Sequence, residues 1–136
     1  MTGAIRAALV LRSAGATLDE ISHTLGRLPD VGRDIGSVGR FNVEPSVVAS
    51  WEMTLGWPDD VHGGTEGLST AIEALGSELA VRIAELRPRG LSVHIRVYQD
   101  LDGGNGDSHA TGLHLTAAAI EWMSKAGAAL DLDQYQ

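Results

Sequence analysis

Between Leu91 and Tyr98 the chain alternates without a miss. Leu91, Val93, Ile95 and Val97 fall on one side of an extended backbone, and Ser92, His94, Arg96 and Tyr98 on the other. A helix would scatter these residues around its axis. A strand sorts them into an apolar face that needs cover and a polar face that does not. Any fold for this chain must seal the odd-numbered side of this segment and leave the even-numbered side open.

The neighbouring segments fit that requirement. Ala4–Arg12 reads as an interior strand because Ala7, Ala8, Leu9, Val10 and Leu11 run almost unbroken. Leu9 and Leu11 then face the helices, and Arg6 and Arg12 share the opposite side with Ala8 and Val10. Thr17 followed by Glu20 is a capping box, which starts a helix that Gly26 stops. Val47–Leu55 alternates again, with Trp51, Met53 and Leu55 on one face and Ser50, Glu52 and Thr54 on the other. From Glu66 to Arg87 the spacing of Leu68, Ala71, Ile72, Leu75, Leu79, Ile83 and Leu86 predicts one long helix. Thr65 is its expected N-cap, and Gly76 marks a weak point inside it. Glu78 with Arg82 and Glu85 with Arg89 are expected helical ion pairs.

Leu113-His114-Leu115 predicts a strand in a hairpin with 91–98, across a glycine-rich loop. Thr116 should cap a helix over 117–125 with Ile120 and Met123 inward, closed by Gly127, and Leu130-Asp131-Leu132-Asp133 reads as the last strand. The segment 27–45, broken by Pro29, Gly32, Gly36, Gly39 and Pro45, reads as a long excursion with a short edge strand near Phe41-Asn42-Val43. The sum is an α+β two-layer sandwich in the ferredoxin-like style, with a mixed, largely antiparallel sheet and its helices on one face. Its 136 residues make one domain, 1–136.

Composition removes several functions. There is no cysteine, so disulfides and thiolate catalysis are excluded. No apolar run approaches the ~20 residues that would cross a bilayer. The opening residues Met1-Thr2-Gly3-Ala4-Ile5-Arg6 lack the order of a signal peptide, so a cytoplasmic location is expected. A net charge of −8, from 18 acidic and 10 basic residues, disfavours nucleic acid and anionic membranes and suits a basic partner or simple solubility.

Arg12-Ser13, Asp19-Glu20-Ile21, Leu25-Gly26, Pro29, Trp51, the long helical stretch and the closing Leu130-Asp131-Leu132 together resemble the bacterial domain of unknown function 4279 family. Asp30 and Gly32-Arg33-Asp34-Ile35-Gly36 match only part of that family's pattern after the proline. The resemblance implies a small intracellular bacterial domain and brings no catalytic residues with it.

The motifs that suggest chemistry each fail a specific requirement. Asp100, Asp102, Asn105 and Asp107 offer oxygen ligands, but Asn105 stands where a calcium loop needs glycine and Thr111 where it needs glutamate. His23, His62, His94, His109 and His114 have no zinc-binding spacing, and no serine sits in a nucleophile elbow. No catalytic residue, metal or cofactor is therefore expected. What remains is the open sheet face. It gathers Arg12, Glu52, His94, Arg96, Tyr98, His114, Asp131 and Asp133, with Arg6, Thr54 and Tyr135 beside them, and Arg96 is expected to pair with Asp131 or Asp133. Tyrosine and arginine are favoured at binding hot spots. The expected function is a non-enzymatic interaction domain, possible forms being immunity- or antitoxin-like, that binds another protein or a second copy. The competing reading is a small-molecule site or enzyme using Arg96, His94 and His114.

Overall fold

The computed structural model describes residues 5–38, 44–56, 65–100 and 113–135. Its elements run β1 Ile5–Ser13, α1 Leu18–Leu25, β2 Val31–Arg33, β3 Ala49–Leu55, α2 Thr65–Glu73, α3 Ser77–Leu86, a 3-10 turn Arg87–Arg89, β4 Leu91–Asp100, α4 Ala117–Ala126 and β5 Ala128–Tyr135. The sheet order is β2-β3-β1-β4-β5. β1 lies antiparallel between β3 and β4, β2 pairs antiparallel with β3, and β5 pairs parallel with β4. The order of β2, β3, β1 and β4 is that of a ferredoxin-like α+β fold, to which α4 and β5 add a parallel edge.

The alternation of 91–98 is realised as read. Val93, Ile95 and Val97 are buried on the side that meets the helices, while Ser92 is exposed and His94, Arg96 and Tyr98 are part-exposed. Leu9 and Leu11 of β1, Trp51 and Leu55 of β3, and apolar residues of all four helices join them in one core. The helix stripes are Ile21 and Leu25 in α1, Leu68 and Ile72 in α2, Leu79 and Ile83 in α3, and Ala119, Trp122, Met123 and Ala126 in α4. Burying a large aliphatic or aromatic side chain contributes about 1.5–3 kcal/mol, so this face supplies most of the driving force for the fold.

Four local expectations change. The 66–87 stretch is two helices, because Gly76 at φ 85°, ψ 149° occupies a backbone region that only glycine enters easily. The break frees the Gly76 carbonyl, which accepts a 2.8 Å hydrogen bond from Trp122 Nε1. Thr65 is a helical residue of α2 instead of the cap preceding it. Ile120 points outward and is 53% exposed, since Trp122 takes the inward position beside Met123. Leu113-His114-Leu115 is not a strand; Leu113 and Leu115 pack on the core, and β4 pairs with β1 and β5 instead of closing a hairpin. The observed edge strand is Val31–Arg33, whereas Phe41-Asn42-Val43 lies outside the described residues.

Arg89 also leaves its expected partner. Glu78 and Arg82 pair at 2.7 Å as their spacing requires. Arg89, however, sits in the 3-10 turn and swings to Glu20, whose carboxylate also closes the capping box on Thr17. The Arg89 hydrogen bond first, then those from Thr17, lower the Glu20 pKa from 4.5 to about 2. Arg89 Nη2 donates to the Gly15 carbonyl, and its own carbonyl accepts from buried Ser13 Oγ at 3.0 Å. A Cβ on Gly15 would lie 2.4 Å from that Arg89 carbonyl, so only glycine lets the two turns meet. These contacts tie the end of β1 to the start of β4, the two strands that set the open face.

Candidate functional site

The candidate site is the sheet side away from the helices. Strand pairing places side chains of matched residues on the same face, so the face can be read row by row. One row runs Val31, Glu52, Val10, His94 and Ala129; the next runs Thr54, Ala8, Arg96 and Asp131; a third brings Arg6 beside Tyr98 and Asp133; a fourth aligns Arg33, Ser50, Arg12 and Ser92. The central strand therefore carries Arg6, Ala8, Val10 and Arg12, two small apolar residues bracketed by two arginines.

Ala8 and Val10 are only 8% and 2% exposed although, among the described residues, no helix covers them. The longer polar side chains of Arg6, Glu52, Thr54 and Tyr98 stand around Ala8. Between Arg6, Ala8, Glu52, Thr54 and Tyr98 they leave a shallow groove of about 580 Å³.

A polar cluster stands beside the groove. The Arg96 guanidinium hydrogen-bonds to Tyr98 and feels the carboxylates of Asp131 and Glu52. The Tyr98 hydrogen bond, more than the charges, raises its pKa above the usual arginine value and outweighs the partial burial that opposes it. Asp131 is in register with Arg96, and its Oδ2 lies 2.9 Å from His94 Nδ1. That nitrogen is shielded from water, yet it has no aligned hydrogen bond among the described residues. The contact is therefore a close polar approach, not a directed bond.

Of the expected site residues, His94, Arg96, Tyr98, Asp131 and Glu52 come together. Arg12 lies on the same face at the other end of β1, beside Ser50 and Ser92. Asp133 is exposed on β5 next to Tyr98 in register. His114 does not belong to the face. It lies outside the sheet, and its carbonyl accepts from Ser69 Oγ of α2 at 3.1 Å. The side chain of Tyr135 and the acidic stretch 101–112 lie outside the described residues.

Sequence reading missed the β2 end of this face. Val31 and Arg33 share the side of Glu52 and Ser50. Arg33 Nε donates to Ser37 Oγ at 3.2 Å, while its buried Nη2 has no partner among the described residues. Around this edge Leu28, Val31, Ile35, Val38 and Val47 are all exposed. A three-residue strand is too short to reveal its phase in a sequence, although the excursion containing it stood out.

Among the described residues no three His, Asp or Glu side chains converge as a metal site, and no helix is long and apolar enough to cross a membrane. The described face offers guanidinium, carboxylate, imidazole and phenol groups over a shallow apolar floor. A family model described as a domain of unknown function (DUF4279) matches residues 3–136, essentially the whole chain. No curated protein and no solved structure matches it.

Proposed function

We propose that this chain, which belongs to the domain of unknown function 4279 family, is a protein-interaction module that binds through its open sheet face and the β2 edge beside it. The observation that carries this reading is the apolar fringe. Five of the large apolar side chains left exposed, Leu28, Val31, Ile35, Val38 and Val47, are gathered in one segment, and Val31 is part of the face itself. Soluble proteins scatter such residues, and a group of them rimmed by polar side chains marks a contact surface. Arg96 and Tyr98 add the residue types that anchor interfaces. An immunity- or antitoxin-like role against a basic partner, in the cytoplasm, is the form that suits the net charge of −8.

The second reading, a small-molecule site, rests on the groove between Arg6, Glu52, Thr54 and Tyr98. Its openness argues against it, because ligand sites bury most of their ligand. The test is affinity capture from the native cell with wild-type and Arg96→Glu baits. The interaction reading expects a partner retained by the wild type and lost by the variant, with both equally folded. Equal retention by both would contradict it.

A further inference from the structure

The open face is not uniformly acidic, and that decides where a basic partner can dock. Its described guanidiniums, Arg6, Arg12, Arg33 and Arg96, lie on β1, β2 and β4, whereas two of its carboxylates, Asp131 and Asp133, stand on β5. β5 is also an edge. It pairs with β4 on one side, and among the described residues no strand lies on the other. In a parallel pair, alternate backbone groups of the outer strand point away from its neighbour and stay free to receive another strand.

We propose that the β5 edge accepts an extended segment of a basic partner by strand addition, with lysine or arginine at alternate positions opposite Asp131 and Asp133 and aliphatic residues between them. The inference rests on the interaction-module reading and extends the contact from the open face to its acidic border on β5. Three observations carry it. Asp133 is exposed with no ion pair among the described residues. Leu132, which alternates with the carboxylates, is 41% exposed on the other side of the strand and gives an aliphatic partner residue something to pack on. The two carboxylates lie two residues apart, roughly 6.6 Å at the usual strand rise, which is also the same-face spacing of any added strand. Main-chain bonding then provides affinity and the alternating charges provide selectivity.

A second copy is a poor occupant. Two-fold antiparallel pairing keeps same-side residues opposite one another. Centred on Asp131, it sets that carboxylate against its own copy; centred on Leu132, it sets Asp131 against Asp133. The whole chain's charge of −8 adds a long-range repulsion between copies and an attraction for a basic segment.

The test uses the full chain and a labelled synthetic peptide of alternating lysine and valine, read by fluorescence anisotropy. Its controls are the same peptide N-methylated on the backbone nitrogens of one edge, and a peptide with glutamate for lysine. The proposal expects the lysine peptide to bind, and methylation to weaken it by more than about tenfold, since several backbone hydrogen bonds are lost. Asp133→Lys should weaken it too, and the double variant Asp131→Lys/Asp133→Lys should prefer the glutamate peptide. Asp133→Lys alone suffices if the double variant misfolds, because Asp133 is exposed. Equal binding of methylated and unmethylated peptides would overturn strand addition, as would no binding at all. Binding lost in Arg96→Glu but kept in Asp133→Lys would also overturn the edge proposal while leaving the open-face reading standing.

Discussion

The two sides of β4 have the same backbone and opposite duties. On one side Val93, Ile95 and Val97 are 3%, 0% and 0% exposed beneath the helices. On the other, His94, Arg96 and Tyr98 touch one another's neighbours across the sheet and stay reachable from solvent. The difference teaches that stability and recognition are separated by a single residue step along the chain. The open side is not merely unburied, however. Ala8 and Val10 are nearly as inaccessible as the core, although among the described residues no helix lies over them.

That contrast can be attacked first on the covered side. Ile95→Ala should cost about 2–5 kcal/mol, measured by urea unfolding, through lost burial and the cavity left behind. Ser13→Ala comes next. Ser13 Oγ donates to the Arg89 carbonyl and accepts from the amides of Gly15 and Ala16, all within 3.1 Å, so its removal strands buried groups and should cost about 1–3 kcal/mol. Gly76→Ala forces a Cβ into a glycine backbone region and should also cost about 1–3 kcal/mol, whereas a continuous helix would have gained from the same change.

On the open side the effects on folding should be small. Arg96→Glu removes cross-strand attraction and should change stability by only about 0.2–1 kcal/mol while abolishing partner binding. The smallest expected effect is a pH dependence far from the face. Glu20 titrates at about 2 in the folded chain and near 4.5 when its partners are gone. A depressed folded value means that its contribution is fully present above pH 4.5 and lost as pH falls toward 2. Urea midpoints followed across that window should fall less steeply in Glu20→Gln than in the wild type.

Much of this was legible because the signals were local. The strict alternation of 91–98 fixed which side of β4 is buried, and Thr17 with Glu20, Gly26, Thr116 and Gly127 bounded two helices as read. The resemblance drawn from Arg12-Ser13, Leu25-Gly26 and Trp51 is confirmed by the family match. The remainder depended on information that spacing does not hold. Apolar residues keep helical spacing straight across Gly76, through Ile72, Leu75 and Leu79, so the break is invisible without its φ angle. Ile120 and Met123 are three apart, but so are Ala119 and Trp122, and only packing against α2 and α3 chooses between the two stripes. Leu-His-Leu at 113–115 alternates for too few residues to distinguish a strand from an extended connection. For the site, Arg96, Tyr98, Asp131 and Glu52 followed from strand phase alone, whereas the contribution of Val31 and Arg33 required knowing that β2 joins the edge of β3.

The chain's lack of cysteine makes the central claim directly measurable. Single variants Ser92→Cys, Val93→Cys, Ile95→Cys and Arg96→Cys, each checked for native fold, can be exposed to a maleimide with and without urea. Rapid native labelling at 92 and 96, with protection at 93 and 95 until unfolding, is the predicted result. Protection at 92 and 96 with rapid native labelling at 93 and 95 would contradict it.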